Sequence, residues 1–498
     1  MPEARWSRRR TLRVLAGLPL LRMLPGHADM AAAPLATGGP RERRAELLRA
    51  LDEQCRAANV PAWGVAIVDA AGDVLAEARG RLPGLDADTP FRIGSITKTF
   101  TALALQRLAA RQQLDIDGTP LRTLVPDAPF GNPWEAETPL TLAMLLEHTA
   151  GFGELTRREW DYADPRPISL REALALDPAS RTCLWRPGVQ HVYSNASPGL
   201  VAWAIERRQP LDFTGYVRAE VVQPLGLRHT GFLREDASAR RLVPGFRADG
   251  TTPIPYWHQH ILAYGAMHAS PADMARFMRT LLEDAASDDA ARTTPRLLQL
   301  ASARRMGQPR SGLAARAGLA LGHGLGIYGS ARHGFVFDGH GGDGDGYLSR
   351  FGLLRAARRG YFLVIASDNP PLFARLRTLV ERWLTRDLAR PPAQPGPAAG
   401  SPATDLARYV GHYRRAAARF RRPGAGAETD ALEVTLEGPG LRLRGAVTAD
   451  LLPTGAPGQF RPSAESVATS IFAAEGGELY LLGEPGNFLR TPPSAIAR

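Results

Sequence analysis

The sequence predicts an α+β fold followed by a small all-β domain, and three observations carry that expectation. Strand-like runs stand near residues 63–78 and return at 334–365, with mostly helical pattern between them, so one sheet must close from distant parts of the chain. The stretch Pro391–Thr404 holds five prolines in fourteen residues, which reads as a linker. Beyond it, short alternating stretches sit between Gly and Pro turns, the pattern of a small β domain.

In chain order, residues 1–33 read as an export signal. Arg8, Arg9, Arg10 and Arg13 precede a short apolar run from Val14 to Leu21, and Ala31-Ala32-Ala33 offers a cleavage site. The run SRRRTLR also resembles a twin-arginine signal. The expected location is therefore periplasmic or secreted. Arg22 cuts the apolar run short, which leaves a basic tail as the other reading.

Leu47, Leu48, Leu51 and Cys55 fall at helical spacing, so residues 41–59 should form a helix. Trp63–Val68 and Val74–Ala78 read as strands joined by a turn at Ala71-Gly72-Asp73. A helix is expected from Ile96 to Arg111, and residues 140–285 should be mostly helical, broken at Pro and Gly. Strands return at Gly334–Phe337, Tyr347–Leu354 and Tyr361–Ile365, before an amphipathic helix over Leu372–Leu384. The expected domains are thus 41–388, a linker at 389–404, and a small β unit at 405–498. In that unit Leu432–Leu436, Leu441–Leu443 and Leu479–Leu482 are the strand candidates.

Composition narrows the function classes. The chain has 498 residues, 44% hydrophobic and 22% charged, ordinary for a globular protein. It contains no uninterrupted apolar run of about 18 residues, so no transmembrane helix is expected. The net charge of +11 comes from arginines scattered among Asp and Glu, without a basic stripe carrying aromatics. Nucleic acid is therefore not an expected partner. Cys55 and Cys183 are the only cysteines, and no metal, nucleotide or flavin signature occurs, so no cofactor is expected.

One residue stands out by rarity. Of 61 basic residues, 60 are arginine and one, Lys98, is lysine. A guanidinium keeps its proton near neutral pH, whereas a lysine amine can release it, so a chain that otherwise uses Arg marks Lys98 as a candidate base. Lys98 follows Ser95 by three positions in Gly94-Ser95-Ile96-Thr97-Lys98. If Ser95 opens a helix, that spacing puts amine and hydroxyl on one face. A serine hydroxyl needs such a base to become a nucleophile.

Two further motifs follow. Tyr193-Ser194-Asn195 supplies a phenol that can carry a proton and a carboxamide that can bind a carbonyl or orient the lysine. His340-Gly341-Gly342-Asp343 lies within five glycines from Gly339 to Gly346, where bare backbone lets a substrate lie against a strand edge. Alone, the second reads rather as a loop turn and the third rather as a flexible turn between strands. No Gly-x-Ser-x-Gly elbow occurs, which disfavours a Ser-His-Asp hydrolase.

Together and in this order, the three motifs resemble the Ser-x-x-Lys, Tyr-x-Asn and Lys/His-x-Gly signature of class C β-lactamases and their relatives. Those relatives include D-alanyl-D-alanine carboxypeptidases, D-amino-acid amidases and peptidases, and carboxylesterases. FRIGSITKTFTALALQRL, LLEHTAGF (145–152), QPLGLRHTGF (223–232), AYGAMHASPADMARFM (263–278) and GHGLGIYG (322–329) are similar as well, over about residues 42–385. DLARYVGHY resembles openings of the small β-barrels that often follow such domains.

The resemblance implies a β-lactamase/DD-peptidase-like fold, an antiparallel sheet flanked by helices with a helical subdomain. It implies an acyl-enzyme on Ser95, Lys98 as base, Tyr193 as proton shuttle, and Asn195, His340, Gly341 and Gly342 as substrate-binding groups. The backbone N–H groups of Ser95 and Asp343 would form the oxyanion hole. His148 would be a structural hydrogen-bonder. The chain departs from the true β-lactamases in carrying His340 where they resemble one another in having lysine. A carboxylate anchor must then be weaker or come from an arginine such as Arg350. The expected activity is therefore hydrolysis of a small ester, amide or D-peptide, with β-lactam hydrolysis and a slow penicillin-recognising binding or sensor module as alternatives.

Overall fold

The computed structural model describes residues 39–69, 74–162, 168–232, 241–286, 292–390, 405–417 and 430–492. The expected export signal at 1–33, the turn at Ala71-Gly72-Asp73 and the proline-rich stretch from 391 to 404 lie outside these residues.

Helix α1 (Pro40–Ala57) leads into the hairpin β1 (Ala62–Val68) and β2 (Val74–Gly80). The start of α1 follows from local chemistry: Pro40 sits at its first position, and Glu42 reaches back to accept the Gly39 N–H at 2.8 Å. A turn at Gly94–Ile96 opens α2 (Thr97–Gln112). The region that follows is built of short helices, two-residue strands and long irregular segments, less helical than expected because Pro and Gly break it repeatedly, with α3 (Ser197–Arg208) and α4 (Pro271–Asp284) its longest elements. Strands β3 (Tyr328–Arg332), β4 (Phe335–Gly344), β5 (Tyr347–Leu354) and β6 (Arg359–Ile365) come next, then helix α5 (Pro370–Thr385).

The six strands make one antiparallel sheet in the order β2-β1-β6-β5-β4-β3. β1 pairs with β6 from Trp63 opposite Ile365, so the sheet does close from distant parts of the chain. Alternation decides which layer each residue joins. Trp63, Val65 and Ile67 face α1 and α5 together with Leu51, Leu372 and Leu376. Ala62, Ala66 and Val68 join the opposite core, where Phe277 of α4 stacks on Phe100 of α2 at 4.4 Å. Helix α2 is buried nearly all round, and the turn that opens it packs against β4 and β5.

Two elements differ from expectation. β4 runs on from Phe335 to Gly344, so the glycine-rich motif is sheet rather than turn. Its length is set by pairing with β5 from Asp338 opposite Leu353 to Gly344 opposite Tyr347. Strand β3 was not expected: Tyr328–Arg332 is half-buried throughout, an edge strand without alternation. Among the described residues, Cys55 and Cys183 are both buried and unpaired.

The C-terminal strands, from Gly411–Arg415 to Phe488–Arg490, close an eight-stranded antiparallel barrel. The barrel does not stand apart. Ile471, Ala473, Tyr480, Leu482 and Leu489 share an apolar cluster with Val189, Leu313 and Leu319. Asn487 Nδ2 donates to the His191 carbonyl at 2.7 Å, and Arg316 pairs with Glu475 at 3.2 Å.

Candidate active site

Ser95 lies in the turn that opens α2 and is partly buried, while Lys98 one turn on is 2% exposed. The turn is pinned from both sides: Thr97 Oγ1 donates to the Gly94 carbonyl at 2.7 Å and accepts the Met267 N–H at 3.1 Å. Three-residue spacing on the first helical turn does bring the two groups together, with Lys98 Nζ 3.0 Å from Ser95 Oγ. The amine also donates to Asn195 Oδ1 at 2.6 Å and to the Tyr264 carbonyl at 2.7 Å.

Tyr193 lies on the segment leading into α3, and its ring stands 5.0 Å from Lys98 Nζ. His148 holds this segment: it packs 4.3 Å from the Tyr193 ring, and its Nδ1 accepts the Ser194 N–H at 3.2 Å. That is the hydrogen-bonding place expected of His148.

The third motif enters along β4. A Cβ on Gly342 would stand 1.9 Å from the Ile93 carbonyl oxygen, and one on Gly94 would stand 2.7 Å from the Asp343 nitrogen. Both contacts forbid a side chain, so bare backbone brings the Asp343 amide beside the Ser95 turn. Gly94 also takes φ +50°, which favours glycine. The β4–β5 turn is tied to the segment that leads into the Ser95 turn, because Arg92 pairs with Asp345 while donating to the Trp257 carbonyl at 3.2 Å.

His340 is 2% exposed, and its Nδ1 lies 2.6 Å from the Gly341 carbonyl. A carbonyl only accepts, so the proton sits on Nδ1 and Nε2 is an acceptor. Burial, reinforced by the Lys98 charge, pushes the imidazole down to about 3 against the pull of the Gly341 bond. His340 is thus neutral at physiological pH. Arg350, the alternative anchor, is 4% exposed and committed to Tyr328 Oη and to Ser330 Oγ, the latter at 3.0 Å.

The structure brings together Ser95, Lys98, Tyr193, Asn195, His340 and the Gly341–Asp343 backbone. Sequence reasoning missed several neighbours. Glu154 accepts from Asn195, the Tyr264 carbonyl accepts from Lys98, and His323 stacks between His191 at 4.3 Å and Tyr328 at 4.5 Å. Tyr264 and His323 lay within stretches already singled out as family-like. Among the described residues no group of three or more His, Cys, Asp or Glu could hold a metal. No helix among them is long and apolar enough to cross a membrane.

Comparisons with known proteins bear on the family and the fold. The Beta-lactamase family model matches residues 48–382. The D-alanyl-D-alanine-carboxypeptidase/endopeptidase AmpH of Escherichia coli is 27% identical over 198 residues, 39% of this chain and 49% of that protein. The chain thus spans about half the length of this curated relative. The octameric penicillin-binding protein homologue of Pyrococcus abyssi has the same fold, with TM-score 0.57 and 20% identity over 90% of this chain and 100% of that one. D-amino acid amidase from Ochrobactrum anthropi SV3 aligns with TM-score 0.55 and 19% identity over 68% and 97%.

Proposed function

Since the chain belongs to the beta-lactamase family, we propose that it is a serine hydrolase that acts through an acyl-enzyme on a small ester, amide or D-peptide. The observation that carries this reading is the buried Lys98 amine 3.0 Å from Ser95 Oγ. Ser95 Oγ attacks the substrate carbonyl carbon as its proton passes to Lys98. The oxyanion that forms lies toward the backbone N–H groups of Ser95 and Asp343. Tyr193, beside the amine, relays the proton to the leaving group, and water then releases the acyl group by the reverse path.

The substrate preference follows from the third motif. A β-lactam or a peptide with a free C-terminus carries a carboxylate, and here it meets a neutral His340 and a buried Arg350 already turned toward Tyr328 Oη and Ser330 Oγ, a weaker anchor than a lysine at the third motif. His340 Nε2 instead accepts a hydrogen bond from a substrate N–H or O–H. Neutral esters and amides fit this chemistry best. The name of the Ochrobactrum neighbour, an amidase, agrees with it. With an export segment at 1–33, the enzyme would work in the periplasm or outside the cell.

The test is a comparison of kcat/KM on nitrophenyl esters, D-aminoacyl nitroanilides and a chromogenic cephalosporin. The reading expects ester or amide turnover well above lactam turnover. Faster hydrolysis of the cephalosporin would contradict it.

A further inference from the structure

Asn195 is held on two sides by one carboxylate. Its main-chain N–H donates to Glu154 Oε1 at 3.1 Å, and its side-chain Nδ2 donates to Glu154 Oε2 at 3.1 Å. The adjoining Ser194 Oγ donates to the Gly153 carbonyl at 2.6 Å, so residues 153–154 and 194–195 are held as a pair. An ionised carboxylate only accepts, so it can pair with the NH2 end of the amide and not with its oxygen. The carboxamide therefore cannot flip, and Oδ1 faces Lys98 Nζ at 2.6 Å.

This has a consequence for the amine. Asn195 Oδ1 and the Tyr264 carbonyl are both obligatory acceptors. A neutral amine has two protons and one lone pair. With the protons directed at those two oxygens, the lone pair is left for Ser95 Oγ at 3.0 Å. Were the amide to flip, Nδ2 would donate to that same lone pair and draw it away from the serine.

We propose that Glu154 is a positioning residue: it fixes Asn195 as an acceptor and thereby aims the Lys98 lone pair at Ser95. The inference rests on the acyl-enzyme reading above. Glu154 itself need touch neither substrate nor the reacting atoms.

The experiment compares Glu154→Leu, Glu154→Gln, Asn195→Leu and the double variant Glu154→Leu/Asn195→Leu in the full chain, with an ester substrate. Folded protein is measured for each by circular dichroism and thermal melting. Glu154→Leu should lower kcat by about 100-fold with KM changed by less than about 3-fold, the scale of a misaligned proton transfer. Glu154→Gln should recover part of that loss, since it keeps one of the two acceptor oxygens and puts an NH2 donor in place of the other. The double variant should be no slower than Asn195→Leu, because Glu154 acts only through Asn195. Wild-type kcat in folded Glu154→Leu, a loss in KM alone, or additive effects in the double variant would each overturn the proposal. A Ser95→Ala variant of unchanged activity would instead overturn the acyl-enzyme reading, so the two failures are distinct.

Discussion

A methyl group on Gly94 would lie 2.7 Å from the backbone nitrogen of Asp343, 249 positions further along the chain. The nucleophile turn and the third-motif strand therefore meet backbone to backbone. Gly94→Ala should push β4 away from Ser95 and lose most turnover while the protein stays folded. Active-site labelling together with circular dichroism checks this. A folded Gly94→Ala variant with wild-type kcat would show that the close approach is not needed for catalysis.

Lys98→Arg keeps the charge and loses the base. The larger guanidinium must also fit among Ser95, Asn195 and Tyr264, where Lys98 is 2% exposed. A loss of about 10²–10⁴ in kcat is expected, the range over which general bases contribute. Stopped-flow acylation with a nitrophenyl ester measures it directly. Retention of most activity would end the argument drawn from the lone lysine.

Much of this site was legible in the sequence because its signals are local. Ser95 and Lys98 share one helical turn, and Tyr193 and Asn195 lie two apart, so spacing alone brings each pair together. Glu154 was not legible. It is one of 50 acidic residues, and its role arises only when residues 153–154 fold against 194–195. Strand β3 was missed because Tyr328–Arg332 lies at the sheet edge and buries neither face fully, which leaves no period-two pattern to read. The barrel was expected, but its docking face was not. Val189, Leu313 and Leu319 look like ordinary core residues until their partners across the interface are known.

Three clustered histidines set a pH dependence of stability. Burial pushes His191 down to about 4 and, with the Lys98 charge, His340 to about 3; burial, then the adjoining histidines, which would repel a second proton, and Arg350 hold His323 well below the ordinary range. In the unfolded chain each titrates near pH 6.5, roughly the model-peptide value. Below that pH the unfolded state binds more protons, so stability falls as pH falls toward the folded-state values, by up to about 1.4 kcal/mol per pH unit for each histidine. His191 and His323 reach the surface in part, so His340, 2% exposed, should carry the largest share. The urea midpoint is expected to drop between pH 7 and pH 5, above the range where unperturbed carboxylates titrate, and His340→Gln should flatten the slope. A flat midpoint in the wild-type protein would contradict the neutral, buried state of these rings.

The barrel should support the Tyr193 segment. Truncation after residue 404 would expose Val189, Leu313 and Leu319 and remove the Asn487 bond to the His191 carbonyl, two residues before Tyr193. Each apolar side chain of this size contributes about 1.5–3 kcal/mol when fully buried. The truncated protein should melt at lower temperature and turn over more slowly. Leu482→Glu in the full chain should weaken docking in the same direction. Unchanged melting and kcat after truncation would mean that the barrel does not support the site.

The proposed function rests on acylation of Ser95. Intact-protein mass should be recorded after mixing with a fluorophosphonate, a nitrophenyl ester and a β-lactam in separate samples, with Ser95→Ala in parallel. A covalent adduct is expected with the fluorophosphonate and a transient acyl adduct with the ester, both absent from Ser95→Ala. A folded protein that gains no adduct from any of the three, or that gains the same adducts without Ser95, would contradict it.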